Sequence, residues 1–414
     1  MLLAIRIEIT SSGNNHTVNG KIPKLKIPRG VWALGFVSLF MDLSSELIHS
    51  LLPIFMVTTL GTDVAIVGLV EGVAEASAQI IRIFSGVISD FFARRKIMLL
   101  LGYGLAALSK PLFPFADSIL TVFSARFMDR MGKGIRGAPR DALIADLSPP
   151  EIRGACFGLR QSMDTVGAFL GPLVAILLLY WLNDNLRLVL WAAVIPAIIA
   201  VLIVLFWVKE PIAKKSHIFH SPLKWNVLRF FSGQYWWVVL IGGFFSLARF
   251  SEAFLVLRAQ QIGFSITLMP LIMVIMSLSY AISAYPAGIL SDHINKKFLL
   301  GIALTLLILA DLMLANSNSI GFSLVGVAIW GLHMGFSQGI LSTLIAETTP
   351  KKLKATAFGI FGLITGLLLL VASVLAGWLW DQYGAAYSFY ASAVFAFLGL
   401  SSLLAMAVVR TSNP

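Results

Sequence analysis

Gly86-Val-Ile-Ser-Asp90-Phe-Phe-Ala-Arg94-Arg95-Lys96 recurs 202 residues later as Gly288-Ile-Leu-Ser-Asp292-His-Ile-Asn-Lys296-Lys297. A second pair follows at almost the same spacing. Ala145-Asp146-Leu-Ser-Pro149, leading to Phe157-Gly158, returns as Ala346-Glu347-Thr-Thr-Pro350, leading to Phe358-Gly359. Two motifs in one order at one spacing mean that a single unit is used twice. Each copy sets an aspartate and a basic cluster at the end of an apolar run, so each marks a helix leaving a membrane.

The rest of the chain has the matching composition. Of 414 residues, 58% are hydrophobic and 12% charged, about half the charge of an average soluble domain. Lipid accepts apolar side chains on the outside of a helix, and water does not. Spans are predicted at 31–57, 64–90, 97–116, 119–146, 155–181, 187–208, 234–258, 266–290, 298–315, 319–345, 355–380 and 385–408. Each can cross about 30 Å of hydrocarbon. The fold class expected is an all-α membrane protein: twelve transmembrane helices in two parallel six-helix repeats. The organisation expected is a flexible tail at 1–30, a bundle at 31–208, a linker at 209–233, a bundle at 234–408 and a short tail at 409–414.

Net charge is +11, and its placement explains it. Arg6, Lys21, Lys24, Lys26 and Arg29 precede the first span. Arg94, Arg95 and Lys96, then Lys209, Lys214, Lys215, Lys224 and Arg229, then Lys296 and Lys297, then Lys351, Lys352 and Lys354 fill alternate loops. Basic loops stay in the cytoplasm, so both termini and the linker are expected there. This distribution leaves no case for a nucleic-acid partner. The first thirty residues lack the order of basic region, apolar core and cleavage site of a secretory signal. Cys156 is the single cysteine, so no disulfide within the chain is possible. Trp32, Tyr180, Trp181, Tyr235, Trp237, Trp378 and Trp380 stand where membrane interfaces are expected.

The quoted loop is similar to the loop motif of the major facilitator superfamily. The resemblance covers about residues 30–410 and implies that family's fold and a small-solute transport function. It implies a latch at the cytoplasmic face from Gly86, Asp90, Arg94 and Arg95, with Asp292, Lys296 and Lys297 in the second copy. Phe91 and Ala93 depart from the family's usual arginine and glycine, which weakens the expected latch. Arg126 matches the family's arginine in the fourth span. Gly167-Ala-Phe-Leu-Gly171-Pro172, preceded by Asp164, resembles the fifth-span motif of proton-coupled exporters of the drug or siderophore type, without its trailing glycine pair.

Charge inside the first six spans is the unusual feature. Seven acids (Asp42, Glu46, Glu71, Glu75, Asp129, Asp141, Asp164) and eight bases (Arg82, Lys110, Arg126, Arg130, Lys133, Arg136, Arg140, Arg160) lie there. Facing lipid, they would cost on the order of 40 kcal/mol. They fall on stripes at helical spacing, so the stripes are expected to face a wet crevice or one another. A purely structural ion-pair network is the competing explanation for each residue. Asp42, Glu46, Glu71 and Glu75 are the candidate proton carriers, with His49 as a relay. Arg82, Arg126, Asp129, Arg130 and Lys133 are the candidate cavity residues of the first half. Arg249, Glu252, Trp330, His333 and Gln338 are those of the second.

The run Asp129-Arg-Met-Gly-Lys-Gly-Ile-Arg-Gly-Ala-Pro-Arg140-Asp-Ala-Leu resembles a segment shared by a branch of prokaryotic facilitators. It is no phosphate loop: no hydroxyl residue follows Lys133 and the run sits in a membrane helix. No cofactor, metal or catalytic residue is expected. The expected activity is proton-coupled efflux of a small organic compound from a bacterial cytoplasmic membrane by a monomer. The alternatives are uptake of an organic anion or siderophore, and a membrane sensor that does not transport.

Overall fold

The computed structural model describes residues 26–92, 94–210, 225–337, 339–350 and 353–411. Most of the expected tail, much of the linker and Gln338 therefore lie outside the described residues. So do the side chains of Asp90 and Asp292.

Every regular element described is helical. The first half holds α1 (Arg29–Ile54), α2 (Val64–Phe92), α3 (Arg95–Ser109), α4 (Ile119–Leu147), α5 (Arg153–Trp181), α6 (Leu186–Ala192) and α7 (Val194–Phe206). The second holds α8 (Gly233–Ala248), α9 (Ala253–Ile262), α10 (Leu271–His293), α11 (Lys296–Ala315), α12 (Ile320–Ser337), α13 (Ile340–Thr348), α14 (Lys354–Tyr383) and α15 (Ala385–Thr411). Among the described residues, nine helical stretches are long and apolar enough to cross a membrane. The α3 helix is shorter than these. The α4 helix is long, with 29 residues, but its charges exclude it on apolarity alone.

Two expected spans of the second half are broken, while the sixth, in the first half, divides at Ala193 between α6 and α7. The seventh splits at Arg249–Glu252 between α8 and α9, and the tenth splits near Gly339 between α12 and α13. Backbone groups freed inside a membrane need new partners. At the first break, Ser251 N–H donates to Ser373 Oγ at 3.1 Å, and Ala253 N–H donates to Ser251 Oγ at 3.3 Å. At the second, Gly339 takes φ +73°, which costs little only for glycine.

Packing repeats between the halves. The α4 helix lies against α2 and α3, as α12 lies against α10 and α11; α1 meets α5 and α7 as α8 meets α14 and α15. First residues correspond at a spacing of 201: Arg95 with Lys296, and Ile119 with Ile320. The repeated loop motif gains a structural meaning from this. Arg95 pairs with Asp146, and Lys296 pairs with Glu347 at 2.5 Å.

Glycines let the charged helix α4 sit close to its neighbours. A Cβ on Gly134 would lie 2.7 Å from the Ala78 carbonyl oxygen, and one on Gly132 would lie 2.5 Å from the Gly102 carbonyl oxygen. These glycines serve helix contact.

The halves meet through α2 with α14, α5 with α10, and α1 with α9. At one end they are tied. Asp381, on α14, accepts from the first backbone N–H groups of α2, Val64 at 3.2 Å and Ala65 at 2.7 Å. Thr267 Oγ1 donates to Asp184 at 2.7 Å. A carboxylate on two free N–H groups at a helix start is favourable by hydrogen bonding and by the helix dipole. A crevice opens between the halves toward the other end, where the Arg95–Asp146 and Lys296–Glu347 pairs lie.

Candidate functional site

Three adjoining hollows make up the crevice, and Gln79 lines all of them. The central one spans about 880 Å³. Glu46, His49, Glu75, Arg130 and Lys133 form its first-half wall; Phe245, Ser246, Arg249, Phe250, Ser251 and Glu252 face them from the α8–α9 break. A second hollow continues along α2, α4 and α5 past Asp42, Arg82, Arg136, Arg140 and Asp164. The third runs beside Tyr280, Ser342 and Thr365.

The stripes of charge are thus turned inward, in two layers. Behind the wall lies a compact network. Arg126 donates to Glu71 at 2.7 Å and also lies 3.6 Å from Glu75. Arg130 holds Glu75 at 3.0 Å and Asp129 at 3.3 Å. Lys110 donates to Asp129 at 2.8 Å and to Ser45 at 2.9 Å. His49 joins the network through Glu46 at 3.3 Å and Glu71 at 3.8 Å. Glu71, Arg126, Asp129, Arg130 and Lys110 are all buried. Buried charges stay charged only when paired and hydrogen-bonded, and these helices cross so that each charge meets its opposite.

Toward the mouth the network loosens. Arg82 reaches Asp141 at 3.1 Å. Arg140 reaches Asp141, Ser38 and Asp164, and Arg160 pairs with Asp164. Arg136 stacks over Tyr103 with its carbon 4.7 Å from the ring centre, a cation–π contact. Two residues stand apart. Asp42 and Lys133 make no ion pair or hydrogen bond among the described residues, and both line the same hollow. Lys133 is exposed to it.

The expected site residues therefore fall into groups. Asp42, Glu46, His49, Glu75, Arg82, Arg130, Lys133, Arg249 and Glu252 lie on the crevice. Glu71, Arg126 and Asp129 lie behind its wall, because their partners are on neighbouring helices. Trp330 and His333 also sit behind the wall rather than on it: they are 1% and 0% exposed, and Arg249 covers Trp330 at 5.7 Å. Gly167 and Gly171 bring α5 onto α1, where a Cβ on Gly171 would meet the Leu43 carbonyl oxygen and Leu47 nitrogen at 2.8 Å. Pro172 is buried beside them. Gly86 faces Ala138, with 3.2 Å for an added Cβ. Arg94 precedes α3 and is exposed. Asn295 accepts from the Lys297 N–H at 3.0 Å.

Gln79, Lys110 and Asp311 were not among the expected site residues, although Lys110 was counted with the intramembrane bases. Gln79 shares the helical face of Glu75, and that spacing was the available signal. The partners of Lys110 and the surroundings of Asp311 carried no local signal, since each acquires its neighbours only through folding.

The family model for the Major Facilitator Superfamily matches residues 34–258 and 239–414. The chain belongs to the Major Facilitator Superfamily. An uncharacterized MFS-type transporter of Methanocaldococcus jannaschii is 32% identical over 363 residues, 86% of this chain and 89% of that protein. The multidrug resistance protein MdtH of Yersinia pestis is 30% identical over 152 residues, 37% of this chain and 38% of its own length. The solved nucleoside transporter NupG superposes with a TM-score of 0.76 at 14% identity, covering 91% of this chain and 99% of that one; at that identity the likeness concerns the fold. As a Major Facilitator Superfamily member the chain is a multi-pass membrane transporter of small molecules and not an enzyme.

Proposed function

We propose that this transporter works by alternating access as a proton-coupled exporter of a small organic compound from a prokaryotic cytoplasmic membrane. In this reading twelve spans form two parallel six-helix repeats with both termini in the cytoplasm. The basic loops support that orientation, which makes the open mouth cytoplasmic and the present state inward-open. The protein acts as a monomer.

One observation carries the coupling mechanism: Asp42, Glu46 and Glu75 line the crevice beside Lys133, which has no ion-pair partner among the described residues. Intramembrane carboxylates on a wet wall are default proton sites. Lys133 can serve as their shared counter-ion. A proton taken up by a wall carboxylate releases the ammonium, and a solute that engages the ammonium releases the carboxylate. Solute and proton then compete, as exchange requires. Arg126, Glu71 and Asp129 hold the wall in position from behind. Export is supported by the close packing of Gly171 against α1 beside Glu46 and by the partial likeness to a protein named for multidrug resistance.

Transport into inverted membrane vesicles against a solute panel tests this reading. Accumulation inside the vesicles, driven by a proton gradient acid inside and abolished in Glu46→Gln, is the expected result. Accumulation that requires the opposite gradient overturns export. It would favour the second reading, uptake of an organic anion, which the same exposed Lys133 ammonium supports.

A further inference from the structure

Asp311 occupies in the second half the place of Lys110 in the first, 201 residues on, and Trp330 stands likewise for Asp129. Lys110 and Asp129 neutralise each other. Asp311 has no such partner. It is 0% exposed and makes no ion pair among the described residues. Its Oδ2 accepts the Ser392 hydroxyl at 2.5 Å, and its Oδ1 is buried without a hydrogen bond. Trp330 turns its indole N–H toward the carboxyl without closing a well-aligned hydrogen bond.

Few titratable groups face this carboxyl from the packed elements. His333 of α12 has two buried ring nitrogens without partners and an edge contact with Trp330 at 4.6 Å. Arg249, just beyond α8, lies over the Trp330 ring and turns to Glu252 at 3.6 Å. Ser392, a hydroxyl, is what α15 contributes. An ionised carboxylate buried without a cation costs several kcal/mol, and a bound proton removes that charge.

Counting hydrogens leads to the same state. Ser392 has one hydroxyl hydrogen and two acceptors in reach, Asp311 Oδ2 and the Ala248 carbonyl. Ala248 is the last residue of α8, at the break that carries Arg249 and Glu252 into the crevice. With Asp311 ionised, Ser392 turns to the carboxylate and the Ala248 carbonyl loses its donor. With Asp311 protonated, its O–H donates to Ser392 Oγ, Ser392 donates to Ala248, and each group from Asp311 Oδ2 to the Ala248 carbonyl has its partner.

We propose that Asp311 is a second proton-binding site, inside the second half, and that its proton closes a relay through Ser392 to the α8–α9 break. One proton binds at Oδ2 and leaves from it; no other bond is made or broken. Losing it loosens the break and the crevice wall attached to it. This site is independent of the solute and of the direction of transport.

Infrared spectra of the full chain in lipid nanodiscs test the site. At neutral pH the wild type is expected to show the carbonyl stretch of a protonated carboxylic acid. Asp311→Asn removes one such band, and Ser392→Ala shifts it because the acid loses its acceptor. A carboxylic-acid region unchanged in both variants overturns the proposal. Should Asp311→Asn not assemble, Ser392→Ala decides alone, and an unmoved band overturns it. Hydrogen–deuterium exchange across residues 245–255, corrected for intrinsic rates, tests the relay. Exchange is expected to rise a few-fold from neutral to alkaline pH in the wild type and to stay flat in Asp311→Asn. A flat wild type overturns the relay.

Discussion

In the first half, Lys110 and Asp129 meet at 2.8 Å and are tied onward to Arg130, Glu75, Arg126 and Glu71. At the matching place in the second half, Asp311 faces a hydroxyl and an indole. The continuity of the helices differs in parallel. In the ion-paired half, α1, α2, α4 and α5 each run 26 residues or more without interruption. In the other half, two of the spans lining the crevice are broken, at Arg249–Glu252 and near Gly339. Opposite charges across helices fix their register, because moving one charge strands another in low dielectric. A wall held by hydroxyls and aromatic rings has no such penalty and can bend. The comparison assigns rigidity to the first half and compliance to the second.

The largest effect should come from stranding a charge. Arg126→Ala leaves Glu71 buried beside only a distant His49, and is expected to cost about 3–5 kcal/mol of stability. Arg249→Ala, on the accessible wall of the second half, should cost far less. Thermal unfolding of both variants in nanodiscs makes the comparison, and equal losses would remove the distinction between the halves.

Helix contact gives the next test. Gly171→Leu forces α5 off α1 and should cost about 1–3 kcal/mol. The motif glycines sharpen the point. A Cβ at Gly86 meets Ala138 at 3.2 Å, whereas one at Gly288 meets nothing within 4 Å. Gly86→Ala should be neutral to destabilising. Gly288→Ala should gain up to about 1 kcal/mol from helix propensity. The same unfolding assay reads both, and a reversed order would break the comparison.

A smaller shift is expected at the sealed end. Asp381→Ala removes a cap from α2, and caps are worth about 1 kcal/mol. The balance between mouths should move several-fold toward opening at that end, read by spin-label distances across each mouth. Lys133→Gln should change stability least, within about 0.5 kcal/mol, since the exposed ammonium makes no direct ion pair or hydrogen bond among the described residues. It should nonetheless abolish the stabilisation that transported solutes give the wild type. A large stability loss in Lys133→Gln would mean that the lysine is structural.

Much of this was legible in the chain alone. Apolar helices, a unit used twice, and charged stripes turned from lipid all follow from local periodicity and spacing, which a linear sequence records directly. Family membership followed from the loop around Asp90 and the motif around Gly171, since such motifs are contiguous. The layer in which each charge lies was not legible. Arg126 and Arg130 stand one turn apart on one stripe, yet Arg130 lines the crevice and Arg126 does not. Only the crossing of α2 over α4 separates them. The breaks at Arg249 and Gly339 were also hidden, because their freed backbone groups rely on partners such as Ser373, more than a hundred residues away. Asp311 is the clearest case. In sequence it is one acid in an apolar helix. Its character depends on Ser392 and Trp330, brought to it by α15 and α12, and on the lack of a cation among the described residues around it, which no local pattern could report.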